Sequence, residues 1–588
     1  MAKKSQLLYF HWNPTQLRKF KLRVNSGLFS LFAVTLFACN QQESIPTMTS
    51  LSGQNEKPPN VMLILADDLA FSDLGAYGSE IDTPNLDQLA AEGLLFTRFH
   101  ASAMCSPSRA MLLTGVDQHK NGYGTMGEYL DSSQQGQPGY EGYLNNQVVT
   151  LATVLQQSGF NTYMTGKWHL GTTVLPSERG FDQTFILLQG AGSHFDNTGY
   201  ASAQPTVNYM RNGEETELTD DFYSSDTYTH EMIQYIETGR DSEMPFFGYL
   251  AFSAPHFPLH APTELIDKYE ERYLAGWDII RKQRHDALKA RELIDAEAEM
   301  AERLQRVPAW ENVSEKEQRY QAKKMAVYAG MVDSLDQNVG KLITYLKSID
   351  EYDNTVFLFL SDNGPESVDF TTYPYLPIAS DWIEETFDNS YENLGQDGSY
   401  IYYGERWAHV GAAAHSFHKT VVSQGGINVP LIVSYAKELP RNRVVTEFSS
   451  IVDIAPTILD LVGVSHPGDE FAGRQIHPMD GRSFLPYLKG EQTNIYPTGT
   501  GNGFELFGHN AFISGNWKIL RLQEPYSDFS WGLYNLDKDP AELNNVAEQN
   551  PVKFQEMIAL YSDYAAENGV IQVPEGWKMF ENLGRLRQ

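Results

Sequence analysis

Cysteine is nearly absent from this chain. Only Cys39 and Cys105 occur in 588 residues, each in its own surroundings, so no disulfide framework is implied. Basic residues are scarce as well: 44 Lys and Arg stand against 75 Asp and Glu, a formal net charge of −31. That balance argues against nucleic acid as a partner, because a phosphate backbone rewards stripes of Lys and Arg. It also disfavours a diffuse electrostatic grip on anionic polymers. An anionic substrate must then be held by a few local cations, with the remaining charge keeping the protein soluble. Long apolar runs are missing too. The run from Gly27 to Ala38 has 12 residues, too few to cross a bilayer as a helix. No internal repeat appears, and no low-complexity tract beyond the polar stretch that follows this run.

What the N-terminus does contain is directional. The first 23 residues carry Lys3, Lys4, Arg18, Lys19, Lys21 and Arg23 and no acid, and the apolar run comes next. This is the pattern of a secretory signal peptide. Its end, Leu36-Phe37-Ala38-Cys39, resembles a bacterial lipobox with Cys39 as the acylated residue, although Phe37 is an uncommon occupant of its position. The expected division is a lipoprotein-type signal peptide over 1–39 and a flexible tether over 40–58. The protein is expected to be exported, to the periplasm or the outer membrane and cell surface. Its membrane contact would run only through Cys39.

The remaining length suffices for a large core and two domains. Asn60 to Ala66 and Thr355 to Leu360 are continuous apolar runs of strand length, as suits strands buried on both faces of a parallel sheet. Thr83-Pro84 opens a helix that Gly93 ends, and Leu94-Leu95-Phe96 reads as another buried strand. Pro430 to Ser434 is a further one, after Gly425-Gly426-Ile427. From Thr263 to about residue 350 the chain turns helical and charged, with a capping box at Ser314 and Glu317. The charges within 281–306 are expected to form solvated helix faces. The aromatic stretch over 365–418 reads as long loops above the sheet edge. Beyond about residue 495 come short strands (Ala511 to Leu522, Trp531 to Leu536) and a closing helix from Pro551. The fold class expected is α/β: a large mixed, mostly parallel sheet flanked by helices over 59–495, with a smaller C-terminal α+β domain over 496–588 carrying an antiparallel sheet.

Chemistry gathers at the strand ends. Asp67 and Asp68 follow the first apolar run, and Asp362 and Asn363 follow the second, at the carboxyl edge where open α/β sheets bind ligands. One such pair is usually a turn or a cap. Two pairs, all oxygen, suggest a hard cation, Ca²⁺ more readily than Mg²⁺, and disfavour zinc. Cys105 opens Cys105-Ser106-Pro107-Ser108-Arg109, with Pro107 in the first turn of a helix that Gly115 ends. At a helix N-terminus a thiol is expected to be acidic and reactive. A buried, inert cysteine is the plainer alternative.

Cys-x-Pro-x-Arg, followed here by Ala110-Met111-Leu112-Leu113-Thr114-Gly115, resembles the signature of type I sulfatases. From about Pro58 to residue 575 the chain resembles bacterial arylsulfatases of the Pseudomonas type, within the alkaline phosphatase superfamily. The matching elements are Ala66-Asp67-Asp68, the Cys105 motif, Gly166 to Gly171, Ala254-Pro255-His256, Ser361 to Gly364, and Lys419 ahead of Gly425-Gly426. The stretches Phe387 to Ser390, Glu392-Asn393 and Tyr403 to Trp407 are also like this subgroup. The resemblance implies an alkaline phosphatase-like fold and the hydrolysis of aryl sulfates to a phenol and sulfate. It implies that a formylglycine-generating maturation enzyme converts Cys105 to formylglycine, whose hydrate attacks sulfur. One Ca²⁺ is implied on Asp67, Asp68, Asp362, Asn363 and the group at 105. Asp362 would take a proton from the hydrate, and Arg109 and Lys167 would supply fixed positive charge. Lys419 would help to hold the ester, and His256 would protonate the leaving oxygen. His169 would take the last proton, expelling sulfate and restoring the aldehyde.

Competing readings remain open at this point: a sulfatase of alkyl sulfates or sulfated polysaccharide, a phosphonate or phosphodiester hydrolase on the same scaffold, or a membrane-tethered glycan-binding protein. His194, His409, His415 and His418 are candidates for the pocket border. The Tyr and Trp residues of 372–407 are candidates for an apolar leaving-group pocket, although an aromatic stripe is more often core.

Overall fold

The computed structural model describes residues 57–369 and 377–579. Cys39, the segment expected as a signal peptide and all of the expected tether before Lys57 fall outside those residues, as do Tyr373 and Tyr375.

Among the described residues, ten strands form one sheet: β1 (Asn60–Ala66), β2 (Leu94–Phe96), β3 (Asn161–Lys167), β4 (Gln183–Leu187), β5 (Tyr209–Arg211), β6 (Glu214–Glu215), β7 (Phe246–Ala251), β8 (Thr355–Ser361), β9 (Leu431–Ser434) and β10 (Arg443–Val445). Their spatial order is β10-β2-β9-β8-β1-β7-β3-β4-β5-β6. Five of the nine neighbouring pairs are parallel, so the sheet is mixed and mostly parallel as expected. The strand–helix–strand order of residues 60–96 is present, but β8 and β9 lie between β1 and β2.

The centre of the sheet explains the continuous apolar runs. Along β1, Val61, Leu63 and Leu65 enter one apolar core, while Met62, Ile64 and Ala66 enter the other. Successive side chains of a strand point to opposite faces, so a strand covered on both sides has no polar alternation to show. Of the helices, α1 (Pro84–Ala91), α2 (Cys105–Thr114), α3 (Ser224–Gly239), α4 (Trp277–Ala290), α5 (Glu315–Ser348) and α6 (Gly404–Gly411), the longest is α5. It buries Met325, Met331, Leu335 and Leu342 in the second core. Its N-cap is the expected one, with Ser314 Oγ accepting the Glu317 N–H at 3.3 Å. No helix among the described residues is long and apolar enough to cross a membrane.

Four later strands, β11 (Asn502–Leu506), β12 (His509–Ser514), β13 (Trp517–Arg521) and β14 (Gly532–Asn535), form a second, antiparallel sheet, and helix α7 (Pro551–Asn568) follows. The single strand expected from Ala511 to Leu522 is a hairpin. Its turn contains Gly515 at φ 58°, a left-handed conformation that glycine adopts without a Cβ clash. One face of this sheet packs on Met557 and Tyr561 of α7. From the other, Phe504, Leu506 and Ile513 join the same core as Val61 and Leu63. A buried ion pair adds a polar tie. Lys518 Nζ lies 2.6 Å from Glu542 Oε1 and donates to the Val422 carbonyl at 2.8 Å. Glu542 Oε2 accepts the Gln424 N–H at 2.9 Å, and Ser416 Oγ donates to the Ala541 carbonyl at 2.5 Å.

A further expectation is overturned. The charges of 281–306 are not all solvated. Helix α4 stops at Ala290, and both Arg281 and Arg284 are buried. Arg284 donates to Glu80 through Nε at 2.9 Å and Nη2 at 2.7 Å, and its Nη1 meets Asp73 Oδ1. Asp73 in turn accepts the Ala70 N–H at 2.9 Å and the Tyr328 hydroxyl at 2.6 Å. The arginine therefore braces the loop that leaves Asp67 and Asp68, a task that a charge count cannot reveal.

Candidate active site

Register decides where the acidic residues meet. Strands β1 and β8 pair in parallel from Asn60 opposite Thr355 to Ala66 opposite Ser361, so Asp67 and Asp362 leave the sheet at the same level. Two strands further along, β3 ends on Lys167. Its Nζ donates to Asp67 Oδ2 at 2.6 Å. Asp68 takes φ 67°, turning the chain sharply at the strand end. Its Oδ1 accepts Asn363 Nδ2 at 2.7 Å and lies 2.8 Å from Lys419 Nζ. Asp362 Oδ1 accepts the Asp68 N–H at 3.2 Å.

Cys105 is the first residue of α2, a helix closed by Gly115 at φ 66°. One turn on, Arg109 donates Nε to Asp362 Oδ2 at 2.9 Å and Nη1 to the Lys167 carbonyl at 2.9 Å, while its Nη2 stands 3.6 Å from Asp67 Oδ1. Ligand atoms of Asp67, Asp68, Cys105 and His256 all lie within 4.8 Å of one another. His256, expected as the proton donor, has its Nε2 3.5 Å from Asp68 Oδ2, and its Nδ1 lies 2.6 Å from the Phe257 carbonyl. A carbonyl only accepts, so Nδ1 carries the proton of the neutral ring.

The electrostatics follow from burial. Asp67, Asp68, Arg109, Lys167, Asp362, Asn363 and Lys419 are all buried. Burial pushes Asp67 up, but Lys167 and then Arg109 outweigh it and hold the carboxyl below its ordinary value. Burial, only partly offset by Lys419, pushes Asp68 up to about 8. Burial and the nearby Asp67 raise Asp362 as well. The expected acidic thiol is not found: burial drives Cys105 upward despite Lys167 and Lys419. Desolvation of a thiolate outweighs both lysines and the helix terminus.

Asp67 Oδ1 and Asn363 Oδ1 are buried and accept no hydrogen bond among the described residues. Buried oxygens without a donor are costly. Together with the raised carboxyls they fit a bound hard cation, which would satisfy those oxygens and favour the charged forms.

The family model described as Sulfatase matches residues 59–464. This chain belongs to the sulfatase family. A second model, described as N-sulphoglucosamine sulphohydrolase, C-terminal, matches residues 413–562. An uncharacterised sulfatase of Schizosaccharomyces pombe is 38% identical over 552 residues, covering 90% of this chain and 97% of that protein. An arylsulfatase of Klebsiella aerogenes is 37% identical over 438 residues, covering 74% and 92%. Among solved structures, Ps i-CgsB aligns with a TM-score of 0.63 at 23% identity, covering 90% of this chain and 97% of that one. A structure solved with its substrate D-glucosamine-2-N,6-O-disulfate aligns at 0.55 and 22% identity, covering 87% and 98%. Both structural likenesses bear on the fold. The chemistry of this sulfatase is the hydrolysis of sulfate esters.

The remaining histidines of the sulfatase divide by contact. His169, half-buried at φ 53°, has its carbonyl on Ser106 Oγ at 2.8 Å, and its Nδ1 is buried without a hydrogen bond. His194 is bonded to the backbone of His256. His418 lies 3.0 Å from Glu405 and 3.1 Å from the Lys419 carbonyl. His415 packs on Phe71 with ring centroids 4.8 Å apart, and His409 is buried within α6. Tyr400, Tyr402, Tyr403 and Trp407 are buried too, which favours their reading as core. The reading missed Glu366, whose Oε2 is 3.1 Å from Lys419 Nζ. It stands four residues after Asp362, and that spacing was the available signal.

Gly190 gives a direct test of His169. A Cβ built there would lie 2.4 Å from His169 Nε2 and 2.5 Å from Cε1. The ring, whose Nδ1 has no hydrogen bond among the described residues, is the part expected to yield. Gly190→Ala should therefore cost about 10²-fold in kcat, the scale of a 1 Å misplacement at a reacting centre, while the melting temperature changes little. Unchanged kcat would show that the ring position is immaterial.

Proposed function

We propose that this sulfatase cleaves aryl sulfates to a phenol and inorganic sulfate, with a formylglycine made from Cys105 as nucleophile and one Ca²⁺ as cofactor. The observation that carries the reading is the position of Cys105, within 4.8 Å of two aspartate oxygens and the His256 ring. Likeness to the Klebsiella arylsulfatase over 92% of that protein's length supports the aryl preference. The hydrated aldehyde offers two hydroxyls on one carbon, one to attack sulfur and one whose deprotonation expels sulfate. Asp67, Asp68, Asp362, Asn363 and the group at 105 would hold the ion, which supplies Lewis acidity toward a sulfate oxygen.

The chain's own groups divide the rest of the work. Arg109, fixed by Asp362 and by the Lys167 carbonyl, keeps its positive charge beside the carboxylates, and Asp362 receives the proton of the attacking hydroxyl. Lys167 and Lys419 offer ammonium groups to the ester oxygens, preorganised by Asp67 and Asp68. His256 would protonate the leaving oxygen through Nε2 as the imidazolium, taking up a second proton on the Nε2 that stands 3.5 Å from Asp68 Oδ2 while its Nδ1–H stays on the Phe257 carbonyl. His169 takes the final proton. Export, acylation of Cys39 and conversion of Cys105 by a formylglycine-generating enzyme belong to the same proposal.

The test is sulfate release from nitrophenyl sulfate, an alkyl sulfate and sulfated oligosaccharides, with a phosphonate monoester as the rival substrate. The aryl ester should have the highest kcat/KM. A better phosphonate or sugar substrate would overturn the aryl assignment. The metal is tested by stability. Chelation should lower the melting temperature and Ca²⁺ should restore it, by about 2.7 kcal/mol at a hundredfold excess over Kd. Asp67, Asp68 and Asp362 are matched by Arg109, Lys167 and Lys419 in the buried cluster, so the ion-free protein should stay folded. A melting temperature indifferent to both treatments would remove the calcium site.

A further inference from the structure

We infer that His194 is a positioning residue for His256, holding the proton donor from behind; this rests on His256 being that donor. His194 is fully buried. Its Nε2 lies 3.1 Å from the His256 carbonyl, and its Nδ1 lies 2.6 Å from Ser224 Oγ, in the first turn of α3. The tautomer follows from the partners. The carbonyl can only accept, so Nε2 carries the proton, and Nδ1 accepts from the Ser224 hydroxyl. Burial, then His260, pushes His194 down to about 3, so the ring stays neutral and the arrangement is a static brace.

The brace has a second arm. The backbone N–H of His194 donates to His260 Nδ1 at 3.2 Å, so the proton of that ring sits on Nε2, 2.8 Å from the Ser399 carbonyl. Tyr223 donates to the His260 carbonyl at 3.2 Å, and Ser224 N–H donates to the His194 carbonyl at 2.9 Å. Residues 256 and 260, at the two ends of one turn, are thus both held by His194, which the first residue of α3 holds in turn. His256 has its own Nδ1 on the next carbonyl, at Phe257. Rotation of the His256 peptide would therefore swing Nε2 away from Asp68, and the His194 N–H resists that rotation at the His256 carbonyl. A donor there fixes where the acid points without touching substrate.

The experiment compares nitrophenyl sulfate with an alkyl sulfate for His194→Leu, His194→Gln, Ser224→Ala, His256→Ala and the His194→Leu/His256→Ala double variant, with melting temperatures alongside. His194→Leu, which lacks the donor, should lose roughly 10²-fold in kcat on the alkyl ester and little on the nitrophenyl ester. His194→Gln keeps an N–H donor and should restore most of that loss. In the double variant the alkyl loss should not exceed that of His256→Ala alone, since a brace is worthless without the group it braces. Equal losses on both esters, or losses that add in the double variant, would overturn the inference while leaving His256 as the acid. If His256→Ala itself shows no dependence on the leaving group, the acid assignment fails first and the inference with it. Should His194→Leu not fold, Ser224→Ala and His194→Gln decide: Ser224→Ala must show the same selective loss in weaker form, and uniform losses overturn the proposal.

Discussion

Cys105→Ala should abolish sulfate release while the protein folds as before. The side chain is almost entirely buried between the carboxylates and Lys167 and Lys419, and trading sulfur for a methyl should cost roughly 1 kcal/mol of stability. Turnover should fall on the order of 10⁴-fold or more, the scale for removing a covalent nucleophile. The parent should carry the complementary signature, a peptide across residue 105 lighter by about 18 Da, as expected when a thiol becomes an aldehyde. Full activity from a chain whose Cys105 keeps its thiol mass would sink the nucleophile assignment. The raised thiol makes this test sharper, because an unmodified cysteine so deeply buried is a poor nucleophile in its own right.

His256→Ala should be selective. A nitrophenolate leaves with little help, whereas an alkoxide or sugar oxygen carries nearly full charge in the transition state. General acid catalysis is then worth about 10²–10⁴-fold. The variant should lose that much kcat/KM on an alkyl sulfate and far less on nitrophenyl sulfate. Equal losses across leaving groups of different acidity would refute the role. Lys419 would be the next candidate, although its amine is already held by Asp68 at 2.8 Å and Glu366 at 3.1 Å.

What the sequence made legible was whatever is written contiguously. Strands β1 and β8 stand out because burial on both faces leaves unbroken apolar runs, and the acidic pairs stand at their ends. The Cys105 motif stands out because its residues are contiguous at the start of one helix. Asp362, by contrast, was read as a metal ligand and a proton acceptor, and is also the buried partner of Arg109. Residues of this kind act across gaps of more than two hundred positions, as does Arg284 toward Asp73, 211 residues away, and no local pattern encodes that distance. Strands β5 and β6, of three and two residues, are too short for any periodicity. The Cys105 thiol was misread because a helix terminus is visible in sequence and the depth of burial is not.

The tie between Lys518, Glu542 and the segment over 416–424 sets a rule for building chimaeras. Lys419 projects from that segment toward Asp68, while its flanks are bonded to residues beyond 500. An exchange of C-terminal halves between relatives that crosses over near residue 495 would separate Lys518 and Glu542 from the backbone groups they were shaped to hold. A crossover a few residues before Ser416 would carry the lysine and its anchors as one inheritable block. The second family model begins at residue 413, on the near side of that block.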